Sequence, residues 1–261
     1  MLKKLLFLVI IAASLIACSE DPKIEPSPSK KVTKPIKPKV KKVKKAVIKP
    51  IITKDSVREN LLAYGKKNPE TIIDIFTSMG KVRIRLYKDT PLHRASFLLM
   101  CKEGYFKHSV FTRVAPFFIA QGGGTYTKEQ TAVSRKTGVY TIPSEFKRHR
   151  IHKQGAVASA REYKNNPEKA SDPFAFYFVE GTLYNHPSLD RYEQEKDYKF
   201  TKKQRDFYVS NPGAAHLDGE HTVFGEIVSG YSVIPKITQV DRDSKDWPVK
   251  DIFIDSVIVV R

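Results

Sequence analysis

The chain has 261 residues, a formal net charge of +18 and two cysteines. This length allows one generous domain or two small ones, and two cysteines exclude a multi-bridge disulfide scaffold, so the fold must be held by its core. The charge invites a nucleic-acid reading, but ten lysines sit in residues 30–49 with no acid or aromatic among them. That concentration excludes a folded basic face with base-stacking platforms.

Taken in chain order, Lys3 and Lys4 precede a short apolar run from Leu5 to Ile16. It falls short of the roughly 20 residues that cross a bilayer and reads as a secretory signal. The stretch Leu15-Ile16-Ala17-Cys18 resembles the bacterial lipobox, which implies a lipoprotein signal over residues 1–18 and acylation of Cys18. Residues 19–54 read as a Lys/Pro-rich flexible tether, kept extended by its prolines and by self-repulsion.

The folded domain is expected over residues 55–261. DSVRENLLAYGKK at 55–67 predicts a short helix, with Asp55 or Ser56 as its cap and Gly65 as its end. Val82, Ile84 and Leu86 alternate with charged residues after Met79-Gly80, which predicts a half-buried hairpin. Thr90-Pro91 opens a second helix that Gly104 ends, with Cys101 as a small buried apolar residue. Short β-type runs follow: SVFTRV, FFIAQGG, VYTIPSE, GAVASA, FAFYFVE, HTVFGEIV and DIFIDSVIVV. They predict a mainly β, closed barrel. Residues 181–215 interrupt this rhythm as an inserted helical excursion, with a helix after Thr201 that Asn211-Pro212-Gly213 ends.

Arg113 stands out, because it lies among Phe111, Val114, Phe117, Phe118 and Ile119, just before Gly122, Gly123 and Gly124. A guanidinium in such company needs a partner or a task. His216 and His221 in HLDGEH have no third ligand at a supportive spacing, so no metal is expected. His149 and His152 read as a solvated turn.

Three blocks carry a family likeness: IDIFTSMGKVRIRLYKDTPLHRASFLLMCKEGYF, VFTRVAPFFIAQGGG and HLDGEHTVFGEIVSGYSVI. With GAVASAR and FAFYFV between them, the chain resembles cyclophilin-type peptidyl-prolyl cis-trans isomerases. The flanking segments resemble the lipoprotein variants of Gram-negative bacteria. The resemblance implies an eight-stranded antiparallel closed β-barrel capped by two α-helices, and isomerase activity without a cofactor. It implies Arg113 as the catalytic arginine and Gln121 as the residue that holds the substrate carbonyl and orients the arginine. Phe118, Ile119, Tyr177, Leu217 and His221 would line the proline pocket, with Ala160 and Arg161 at the substrate edge.

Some positions depart from the family's pattern. Ala175 stands where glutamine is common, so one substrate hydrogen bond is expected to be lost. His216 stands where tryptophan supports cyclosporin-like ligands, which predicts weak sensitivity to them. Thr112 replaces a frequent histidine, and Phe117 replaces a frequent glycine and is expected to crowd the groove. The expected partners are proline-containing polypeptides and a membrane reached through the lipid anchor, not nucleic acid, and a monomer is the default. Ser19 after Cys18 implies the outer membrane, with the face left open. The competing reading is a non-catalytic module that grips proline segments or recruits a partner through residues 181–215.

Overall fold

The computed structural model describes residues 50–124 and 127–261. The signal, the lipidation residue Cys18 and the tether up to Lys49 lie outside the described residues. The last tether residues are already part of the folded body. Ile52 is 1% exposed, and the amides of Ile51 and Ile52 donate to Lys136 and Thr137 carbonyls.

Eight antiparallel strands close into a barrel in the order β1-β2-β7-β5-β6-β4-β3-β8. They are β1 (Ile72–Thr77), β2 (Gly80–Leu86), β3 (Ser109–Ala115), β4 (Ile119–Gly123), β5 (Ala156–Ser159), β6 (Ala175–Val179), β7 (Val223–Ser229) and β8 (Phe253–Val259). The period-two pattern decides which side faces in: Val82, Ile84 and Leu86 on β2 are buried, while Arg83 and Arg85 face away. The interior also takes Val114, Ala120, Val157, Phe176 and Phe178.

The two predicted helices form, as α1 (Val57–Lys67) and α2 (Pro91–Lys102). In α1 the buried residues Val57, Leu61 and Gly65 recur every fourth position and make one face. Gly65 does not end the helix. A Cβ there would lie 3.1 Å from both Ala95 Cβ and Arg94 Nη2, so the glycine sits where α1 and α2 approach most tightly. Neither expected cap acts: Ser56 holds the N-cap position without a side-chain hydrogen bond, and Asp55 lies in a 3-10 turn before it.

The run VYTIPSE at 139–145 is not a strand; its one ladder contact is a bridge between Ile142 and Ser171. The segment instead brings Glu145 to the start of α2, where its carboxylate accepts the Leu92 and His93 amides at 3.1 and 3.0 Å. An acid at a helix N-terminus satisfies orphan donors and complements the dipole. A third helix, α3 (Lys128–Thr137), was not anticipated, because its start rests on a polar capping box between Thr127 and Gln130. The excursion holds α4 (His186–Glu195) and α5 (Lys202–Ser210), the latter capped by Thr201 as expected. Finally, α6 (Val233–Thr238) buries Val233, Ile234 and Ile237.

Candidate active site

The barrel's outer wall carries the candidate site. Cα register places Arg113 opposite Gln121, Gln121 opposite Tyr177, and Tyr177 opposite Ala158, a row across β3, β4, β6 and β5. Arg113 joins this row through an irregularity. The β3–β4 register shifts between Phe111 and Arg113, and both Phe111 and Val114 are buried. Strict alternation from Phe111 would have sent Arg113 into the core; the extra residue, Thr112, turns it out again.

Outward wall residues are normally wet, but here Ile119, Ala156, Ala158, Tyr177 and Val179 are buried with Ala214, Leu217 and Val223. Ala214 and Leu217, from the chain that precedes β7, pack over them. Between that cover and the wall lies a cavity of about 270 Å³. Every residue the sequence assigned to the site lines it: Arg113, Phe118, Ile119, Gln121, Ala160, Arg161, Tyr177, Leu217 and His221. Ala175 and His216 line it as well, as do Glu162, Tyr163 and Asp172, which sequence reasoning missed. A larger groove of about 560 Å³ lies beside α5, but the grouped polar and apolar side chains just described are not there.

Arg113 is held at one end only. Its Nε donates to Asp246 Oδ2 at 3.2 Å, and its guanidinium carbon lies 5.5 Å from the centre of the Phe118 ring. Among the described residues its Nη1 and Nη2 have no partner. With its side chain 43% exposed, the arginine presents those donors to the cavity mouth and is not buried against an acid. Arg161 is different: its side chain is 5% exposed, Nη2 pairs with Glu220 Oε2 at 2.6 Å, and Nε donates to the Glu220 carbonyl. It ties two loops together at the edge of the cavity.

His221 is kept neutral. Burial pushes its pKa down to about 3, with His152 a smaller contributor. One ring nitrogen meets the Ser159 carbonyl at 3.1 Å and the other the Tyr163 hydroxyl at 2.7 Å. The carbonyl can only accept, so Nδ1 carries the proton and Nε2 accepts from Tyr163. Tyr163 also lies under Arg161, 4.0 Å from guanidinium carbon to ring centre, and so borders the mouth. The only hint of it in sequence is an aromatic in a polar loop, too common a feature to single out. His216, down to about 4 by burial, packs with its ring tilted 35° against Phe118, centres 5.0 Å apart.

Two expectations need correction. Phe117 does not crowd the groove: it is 65% exposed at φ +59° in the β3–β4 turn and is not a lining residue. The backbone explains why glycine is common there, since a side chain at positive φ is strained. His152 is not in a solvated turn; it is 1% exposed and bonded to Asp218 and Tyr177. His149 is exposed, as expected, and pairs with Asp89.

The arrangement offers neutral imidazoles, an apolar cup and a cation with open donors, and among the described residues its lining holds no serine, threonine or cysteine. Such a site is suited to conformational catalysis.

A family model described as cyclophilin type peptidyl-prolyl cis-trans isomerase/CLD matches residues 72–259. A peptidyl-prolyl cis-trans isomerase of Schizosaccharomyces pombe is 26% identical over 189 residues, 70% of this chain and 94% of that protein. One of Acinetobacter baylyi is 24% identical over 181 residues, 69% of this chain and 78% of the other. A putative bifunctional phosphatase/peptidyl-prolyl cis-trans isomerase of Streptococcus pyogenes is 28% identical over 195 residues, 72% of this chain. The chain spans 38% of that last protein and 29% of an isomerase-like relative from Cryptococcus neoformans. A crystal structure of a cyclophilin type isomerase from Cryptosporidium parvum, determined in the presence of the dipeptide Ala-Pro, superposes with a TM-score of 0.52. At 17% identity, over 73% of this chain and 99% of that one, it establishes a shared fold.

Proposed function

Because the chain belongs to the cyclophilin-type peptidyl-prolyl cis-trans isomerases, we propose that it catalyses rotation about Xaa-Pro bonds, with Arg113 stabilising the twisted amide. The observation that carries this reading is Arg113 itself, anchored through Nε and open at both terminal nitrogens above an apolar cup.

Rotation meets a barrier of roughly 20 kcal/mol because the imide nitrogen shares its lone pair with the carbonyl. Twisting returns that pair to the nitrogen, which becomes a hydrogen-bond acceptor only near the transition state. A permanently protonated fork aimed at that nitrogen therefore binds the twisted state better than either planar isomer. Phe118, Ile119, Leu217 and the ring of Tyr177 hold the proline ring still while the preceding carbonyl swings past Gln121. Their apolar surface also excludes water, which strengthens the arginine's donation. Ala160 and Arg161 border the path of the preceding residues, and His221, being neutral, adds no competing charge. The mechanism calls for no metal or cofactor. In a protease-coupled assay on a proline tetrapeptide, wild type should accelerate isomerisation and Arg113→Ala should lose most of it. Equal rates would remove Arg113 from this role.

We also propose that the domain works in the cell envelope as a monomer, tethered by a lipid on Cys18, on proline-containing polypeptides that are folding there. Support comes from the apolar run, the Leu15-Ile16-Ala17-Cys18 stretch and Ser19 after it. Cys18→Ser should move the protein from the membrane to the soluble fraction; unchanged membrane recovery would contradict the anchor. The non-catalytic alternative, which Ala175, Phe117 and the insertion at 181–215 favour, has less behind it, since Phe117 is 65% exposed and does not fill the groove.

A further inference from the structure

The excursion at 181–215 reaches the proline pocket through a buried chain of hydrogen bonds. On α5, the Tyr208 hydroxyl donates to Asp218 Oδ2 at 2.8 Å. The other carboxylate oxygen, Oδ1, accepts from the His152 amide at 2.9 Å and from His152 Nδ1 at 2.8 Å. His152 Nε2 then meets the Tyr177 hydroxyl at 3.1 Å. Tyr208, Asp218, His152 and Tyr177 are each at most 4% exposed. The ring of Tyr177 lines the cavity, so one end of the chain lies in the excursion and the other forms the pocket's base.

An ionised carboxylate only accepts, so Tyr208 and His152 Nδ1 both donate to Asp218. His152 Nε2 and the Tyr177 hydroxyl share the last hydrogen bond of the chain. Burial pushes the pKa values of both tyrosines well up, so each keeps its proton. Asp218 is therefore the shared acceptor at the centre of the chain. A second contact runs in parallel: Tyr184 bonds to His216 Nδ1 at 3.1 Å, and His216 packs against Phe118 at the pocket wall.

We propose that the excursion is a working part of the proline site, and that Tyr208, Asp218 and His152 are positioning residues that set the ring of Tyr177 against the substrate proline. A phenylalanine at 177 would give the same apolar base without the tie. The hydroxyl makes the shape of the pocket depend on how α5 is seated. The proposal rests on the reading of this cavity as a proline pocket.

The test is a double-mutant cycle of Tyr177→Phe and Tyr208→Phe, read in KM, kcat and the dissociation constant of a proline tetrapeptide. Each single change should weaken peptide binding about fivefold, the worth of one buried hydrogen bond, with kcat within about twofold. The double variant should be no weaker than either single one. Independent effects that multiply to about 25-fold, or no effect of Tyr208→Phe on binding, would overturn the proposal. A merely structural tyrosine would lower the melting temperature and leave peptide binding alone. If Tyr208→Phe does not fold, nitrogen-15 spectra of wild-type histidines decide: a proton held on His152 Nδ1 is required. An averaged mixture of tautomers would rule the chain out. Should wild type bind the peptide but not turn it over, the isomerase reading fails by itself, while the cycle in dissociation constants still tests the positioning.

Discussion

Asp246 is the side chain through which the seating of Arg113 can be tested with the least disturbance to the fold. Its carboxylate lies between two guanidinium groups, with Arg113 Nε at 3.2 Å on one oxygen and Arg242 Nε at 3.3 Å on the other. Its backbone is left-handed at φ +64°, and its carbonyl accepts the Val114 amide at 2.8 Å. Asp246→Gly keeps that backbone and removes the carboxylate. Two partly exposed ion pairs are worth about 0–1 kcal/mol each, and relief of the left-handed strain returns about 1 kcal/mol. The sum is near zero, so the melting temperature should move by less than about 4 °C. Activity should not be spared, because an untethered guanidinium must be ordered anew in each transition state. Restricting it costs about 1 kcal/mol, or roughly fivefold in kcat/KM. Thermal unfolding and a protease-coupled isomerase assay on the same preparation measure both. Unchanged kcat/KM with unchanged stability would refute the idea that Asp246 orients Arg113. A fall of more than about 10 °C would show that the residue is structural instead.

Ala175 lines the cavity without a polar group. Ala175→Gln should therefore lower KM for a proline peptide by about fivefold with kcat little changed, and an unaltered KM would contradict the lost-bond account. His221 predicts a pH profile. Its pKa is depressed to about 3 in the fold against an ordinary value near 6.5, so its stabilising contribution is complete above about 6.5 and is lost as pH falls towards 3. Urea midpoints measured down this range should fall less steeply in His221→Gln, and kcat/KM of wild type should be flat from about pH 6 to 8 if no other group intervenes. An inflection near 6.5 that disappears in His221→Gln would contradict a neutral His221. His216, packed between Phe118 and Tyr192, leaves no indole for a cyclosporin-like ligand. Inhibition should be weak, and a low-nanomolar inhibition constant would contradict this.

How much was legible in the sequence depends on where the controlling interaction sits. Val82, Ile84 and Leu86 state their own alternation, and Thr201 announces α5, because those signals are local. The outward turn of Arg113 is not local: it depends on the register shift between β3 and β4, which alternation alone would have misjudged. VYTIPSE has strand composition, yet its course follows from Glu145 meeting the start of α2, more than 50 residues earlier in the chain. KRHRIHK looks solvated because its charges are adjacent in sequence; His152 is buried only because Asp218 arrives from 66 residues away. The lining of the cavity was legible through family resemblance and not through periodicity. Tyr163 escaped because nothing in its own neighbourhood distinguishes it from a loop aromatic.

The central claim is that Arg113 acts on the twisted amide and not on the planar peptide. NMR exchange on a peptide with a single Xaa-Pro bond, at equilibrium with wild type or Arg113→Ala, separates the two. The account predicts that the bound-state interconversion rate falls by about 100-fold or more, the usual scale for removing one transition-state donor, while the dissociation constant stays within about threefold. A variant that interconverts the isomers as fast as wild type, or one that loses only peptide binding, would contradict it.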